Sequence, residues 1–113
     1  MGSEMCIRDS TFFDRPTNLH SVWDSGLLRR IGMTVTAWTA QLEKGGLVVS
    51  ARGTPVAWAE EAHRVAATNV YDIPRNRVLG QAHVDASVPA LRLQLLRGGV
   101  RLAALLNSIF ETA

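Results

Sequence analysis

The last third of the chain carries an apolar stripe: Leu91, Leu95, Leu102, Leu105, Leu106 and Ile109. The spacing is about 3.5 residues, which is a helical period and excludes the two-residue alternation of a strand. A helix over roughly 81–110 with such a face must pack against other elements. The rest of the composition agrees. Alanine occurs 14 times and leucine 13 times, both strong helix formers. The only strand candidate, Leu47-Val48-Val49, is short, and 47–53 reads as a loop. With 113 residues, 47% apolar and 19% charged, the chain has the composition of one globular domain. Twelve basic against ten acidic side chains leave a net charge of +2, which excludes a polycationic arm that binds nucleic acid by charge alone. No apolar run approaches ~20 residues, the length of a membrane-spanning helix. One cysteine, Cys6, excludes an intramolecular disulfide.

Local punctuation divides the chain into four helices, so the expected fold class is all-α, an open helical bundle. The first helix runs from about Asn18 to Ile31, with Thr17 as N-cap, Arg29 and Arg30 in the last turn and Gly32 as the stop. The second runs from about Val35 to Lys44, between a Thr34 cap and Gly45-Gly46. The third opens on Thr54-Pro55, an N-cap followed by proline at the first helical position, and Pro74 closes it. Its apolar face is Trp58, Ala62, Val65, Ala66 and Val70. In the fourth, Pro89 starts or kinks the helix, and Gly98-Gly99 predicts a kink or a close helix approach. The first ten residues, MGSEMCIRDS, have neither period nor a signal-peptide core. They read as a non-native segment, and residues 11–113 as the native part.

His20 and Asp24 are four residues apart, which places them on one face of a helix, one turn apart. An imidazole nitrogen and a carboxylate oxygen so placed can reach one metal ion at about 2.0–2.2 Å, and zinc suits a mixed nitrogen and oxygen site. Spacing alone leaves open a surface pair worth a few tenths of a kcal/mol.

The residues around the pair are more specific. Asn18-Leu19-His20-Ser21-Val22-Trp23-Asp24-Ser25-Gly26-Leu27 resembles the NLHxVWDxGL signature of the S1/P1 nuclease family. Trp58-Ala59-Glu60-Glu61-Ala62-His63 is similar to that family's WAEES helix, and the run from Gly99 to Asn107 to its C-terminal GVRLAALLN helix. The resemblance covers about Thr11 to Glu111 and implies the C-terminal part of a phospholipase C/P1 nuclease-like fold. It also implies an activity. Members hold three zinc ions and cut phosphodiester bonds of single-stranded DNA and RNA, and many remove 3′-phosphates from nucleotides. In the motif the histidine and the aspartate bind one zinc. Here those are His20 and Asp24, with Trp23 packing beside them, Asn18 at the helix start and Leu19 in the core. Secretion or a periplasmic location is implied for the intact protein. No membrane and no protein partner are implied.

The chain also departs from the family. The remaining ligands, including a GDxHQPLH segment, are absent, so at most one partial zinc site is expected and the chain alone is expected to be inactive. Asp14 stands where glycine is common, and His83 where an aromatic is common. Other residues have structural readings: His63 an exposed helical histidine, Glu60 and Glu61 first-turn charge compensation, Trp38 and Trp58 core, Arg75 and Arg77 a solvated loop. Gly45-Gly46 is no phosphate loop, because no lysine-serine pair follows. Two rival functions remain: a zinc phospholipase C-like hydrolase, and a small helical interaction module in which His20 and Asp24 are only a surface pair.

Overall fold

A computed structural model describes residues 10–111. The segment expected to be non-native therefore lies outside the described residues, apart from Ser10. Two short strands open the chain, β1 (Ser10–Phe12) and β2 (Arg15–Thr17). They pair antiparallel, with Phe12 opposite Arg15, so Phe13 and Asp14 alone make the turn. Both have positive φ, 49° and 66°. A two-residue hairpin turn of type I′ requires that conformation at both central positions. Glycine is the easiest occupant of such positions, and here Phe13 and Asp14 fill both. Phe13 holds its conformation between two partners, Phe12 edge-on at 4.7 Å and the Arg30 guanidinium 3.6 Å above its ring.

Helix α1 covers 19–31, α2 is Val35–Lys44, α3 covers 55–70 and α4 is Gln81–Glu111. Strand β3 (Val78–Leu79) precedes α4 and pairs parallel with β1, Phe12 opposite Leu79. The strand order is β2-β1-β3. This small sheet ties the entry of α1 to the entry of α4. It was not expected from sequence, whereas 47–53 is a loop, as expected.

The helix boundaries follow local capping chemistry. Thr34 and Thr54 both adopt extended backbone, and their hydroxyls accept from the amides of Ala37 (3.1 Å) and Ala57 (3.2 Å). Gly32 ends α1 at φ 75°. Thr17 does not cap α1. It is still in β2, and Asn18 caps instead, its side-chain oxygen accepting from the Ser21 amide at 2.8 Å. Pro89 lies inside α4. Gly98 and Gly99 face open space, so the expected close helix approach is not there.

The core sits where α1, the sheet and the start of α4 meet: Leu19, Val22, Leu27, Leu79, Val84 and Leu91 are buried, with Trp38 reaching in from α2. α3 buries no residue fully. Along α4 the apolar stripe emerges from cover. Between α2 and the second half of α4 lies an open apolar groove of about 640 Å³, lined by Leu28, Trp38, Leu42, Leu95, Leu96 and Val100. The radius of gyration is 15.9 Å, against about 13 Å for a compact chain of this length. The layout is open, as expected. No helix among the described residues is long and apolar enough to cross a membrane.

Candidate metal centre

The geometry of α1 starts from its cap. Once Asn18 sets the first turn, Leu19, Val22 and Leu27 face inward and His20 and Asp24 face outward. The helix is not uniform. It runs as Leu19–Ser21, then one wide turn over Val22–Gly26, then Leu27–Ile31, with the Leu27 amide donating to the Val22 carbonyl five residues back. Such wide turns are rare and recur at functional sites. Four residues exceed one 3.6-residue turn by about 40°. No sequence signal marks the wide turn.

His20 and Asp24 are exposed and line one cleft of about 360 Å³ with Leu19, Trp23, Val70 and Tyr71. The far wall is the end of α3, itself a wide turn over Ala66–Val70, closed by the Tyr71 amide donating to the Ala66 carbonyl at 3.0 Å. The cleft thus lies between two wide turns from separate helices.

Trp23 forms the floor. It is half-buried, and the His83 ring meets it edge-on, with centroids 6.3 Å apart and planes at 83°. This gives His83, for which the sequence offered no role, a structural one: its imidazole packs edge-on against Trp23 as an aromatic ring. His83 is buried, its Nε2 3.5 Å from the Ser87 hydroxyl, and burial pushes its pKa below the ordinary histidine value. It packs against Trp23 and is not among the residues lining the cleft.

The donor set at the cleft is one imidazole and one carboxylate, both accessible. That chemistry fits two of the three or four ligands a zinc site needs. Among the described residues no group of three or more histidine, cysteine, aspartate or glutamate side chains could hold a metal.

The family profile described as S1/P1 Nuclease matches residues 8–111. The chain belongs to the S1/P1 nuclease family. Endonuclease 2 of Arabidopsis thaliana is 26% identical over 117 residues, which cover 88% of this chain and 40% of that protein. The chain thus spans well under half the length of the curated relative.

The other two blocks that resemble this nuclease family meet in space. Glu61, in the WAEEAH block on α3, pairs with Arg101, in the C-terminal block on α4, at 2.9 and 3.0 Å, and with Arg97 at 3.4 Å. The Arg101 hydrogen bond, followed by the charges of Arg97, Arg101 and Arg64, holds the Glu61 carboxyl below the usual carboxylate range against the opposing effect of desolvation. The expected dipole role is corrected: no acidic residue lies in the first turn of α3. Trp58 is corrected too. It is half-exposed rather than core, its indole N–H donates to the Arg52 carbonyl (3.1 Å), and Arg101 lies over its ring at 5.1 Å. Trp38 is buried, and His63 is exposed on α3, as expected. Arg75 and Arg77 lie in the connection before β3, Arg75 exposed and Arg77 half-buried, and the Arg77 carbonyl accepts from the Thr11 amide.

Proposed function

We propose that this chain supplies part of a zinc-dependent nuclease site that hydrolyses phosphodiester bonds of single-stranded DNA or RNA, with the 3′-nucleotidase activity of the family. His20 and Asp24 are the residues that hold zinc, as one imidazole and one carboxylate ligand. The single observation that carries the reading is their shared place on the wall of an open cleft, within the residues that the family profile matches. The nuclease name of the Arabidopsis relative supports the reaction class.

Zinc bound there supplies Lewis-acid chemistry at the phosphate and a nucleophilic water at neutral pH. The chain's own residues do the positioning. Leu19, Val22 and Leu27 anchor α1 in the core, so the two ligands project from a rigid element. Trp23, held by His83, backs the cleft and fixes its depth. Tyr71 and Val70 form a wall against which a base can lie, and a flexible single strand can bring a phosphate into such a cleft where a stacked duplex cannot. Two ligands bind zinc weakly. The 113 residues alone are therefore expected to be inactive; that the intact protein is secreted or periplasmic is proposed from the family resemblance alone.

The test is cleavage of single-stranded DNA by the complete gene product, with zinc supplied and withdrawn. His20→Ala and Asp24→Ala are each expected to abolish cleavage. Full activity in both variants contradicts the ligand assignment. A phosphatidylcholine substrate turned over in preference to DNA places the chain with the zinc phospholipases C instead.

A further inference from the structure

A second cavity, of about 270 Å³, lies away from the His20 and Asp24 cleft and shares no lining residue with it. Its polar walls come from the loop after α2 (Ser50 and Arg52), from α3 (Glu61) and from α4 (Arg97 and Arg101). Arg97 and Arg101 pair with the Glu61 carboxylate while Arg52 lines the same cavity outside that pairing, so three arginines against one carboxylate leave the lining two positive charges in excess. Arg101 is largely buried, and its Nε finds no acceptor among the described residues.

The arrangement is held before any ligand arrives. The Trp58 indole fixes the Arg52 carbonyl, and its ring lies under the Arg101 guanidinium. Gly53 permits this turn: its φ is 110°, and a Cβ there would stand 2.9 Å from the Trp58 indole nitrogen. The Ser50 hydroxyl accepts from the Arg52 amide at 3.1 Å, which closes the loop over the cavity. Glu61 neutralises one positive charge and orients Arg97 and Arg101. Guanidinium groups present planar forks suited to phosphate oxygens, and convergent arginines recognise that geometry.

The geometry points to a phosphate-binding site formed by Arg52, Arg97 and Arg101 around this cavity. The ligand is a phosphate group, carried by a nucleic-acid strand or by a free phosphate monoester. The proposal does not depend on zinc at His20 and Asp24. Glu61 serves as the tether and as a repulsive charge that weakens the site, so its removal distinguishes anion binding from a purely structural cluster.

The experiment is calorimetric titration of the 113-residue chain, without added zinc, with sodium phosphate and separately with a short oligothymidylate, at low salt. Saturable one-to-one binding is expected. Arg52→Gln and Arg97→Gln should each weaken it about tenfold, the scale of one charge-assisted contact, whereas Arg15→Gln, in β2 and outside this lining, should leave it unchanged. Glu61→Gln should tighten it several-fold. Arg52 takes no part in the Glu61 ion pairs, so Arg52→Gln remains informative even where Glu61→Gln disturbs packing. An oligonucleotide bound at least tenfold more tightly than phosphate identifies the strand as the source, and equal affinities identify the free monoester. The absence of saturable binding to either probe overturns the proposal. So does weakening by Arg15→Gln equal to that by Arg52→Gln.

Discussion

The two halves of α4 are chemically alike and structurally opposite. In the first half His83, Val84, Ser87 and Leu91 are buried beneath α1 and the small sheet. In the second, Leu102, Leu105, Leu106, Ile109 and Phe110 are all exposed, Phe110 by 73%. An apolar stripe therefore fixes the helix and its face but not the partner. The partner of the first half arrives through non-local strand pairing, which draws α1 against it. The second half meets α3 through the Glu61 ion pairs and leaves an apolar groove against α2.

That contrast should break most sharply under truncation. Leu27, fully buried, should cost about 2–5 kcal/mol as Leu27→Ala, whereas Leu105→Ala should stay within about 0.5 kcal/mol, both read from urea unfolding. Comparable losses at the two sites would mean that the second half of α4 is covered in solution. Gly53→Ala should cost about 1–3 kcal/mol, because the position combines positive φ with the 2.9 Å approach to Trp58. Its effect reports on the α3 end of the second half. Asn18→Ala, at the start of the buried corner, should cost about 1 kcal/mol.

A pH series sharpens the comparison further. The folded-state pKa of His83 lies below its unfolded value, so the unfolded chain takes up the proton first. Stability attributable to this group is complete above about pH 6.5, the ordinary histidine value, and falls as pH drops below it. His83→Phe should flatten that part of the profile and keep the edge-on contact with Trp23. An unchanged slope in the variant would assign the effect to another residue.

What could be read from sequence divides along the same line. Thr34, Thr54-Pro55 and Gly32 were legible because capping is settled within four residues of chain. The cap of α1 was misplaced by one residue because Thr17 and Asn18 are both good caps, and only strand pairing reserves Thr17. The sheet was invisible: its strands are two or three residues long, and the parallel pair joins Phe12 to Leu79. The hairpin turn lacked its usual glycine. At the candidate site the i, i+4 placement of His20 and Asp24 was legible, since helical spacing alone puts them on one face. The wide turns of α1 and α3, the Trp23 and His83 contact and the joining of Glu61 to Arg101 across 40 residues were not, because each depends on tertiary partners.

The account rests on His20 and Asp24 acting on one cation, and a double-mutant cycle of zinc binding to the chain tests this most directly. Zinc affinity would be measured for the parent, His20→Ala, Asp24→Ala and the double variant, with the His20 ring nitrogens followed by NMR. The predicted result is that zinc shifts the His20 ring, that each single variant loses most of the binding, and that the double variant loses little more. A parent-like affinity in Asp24→Ala, with the His20 signal still moving, would contradict it.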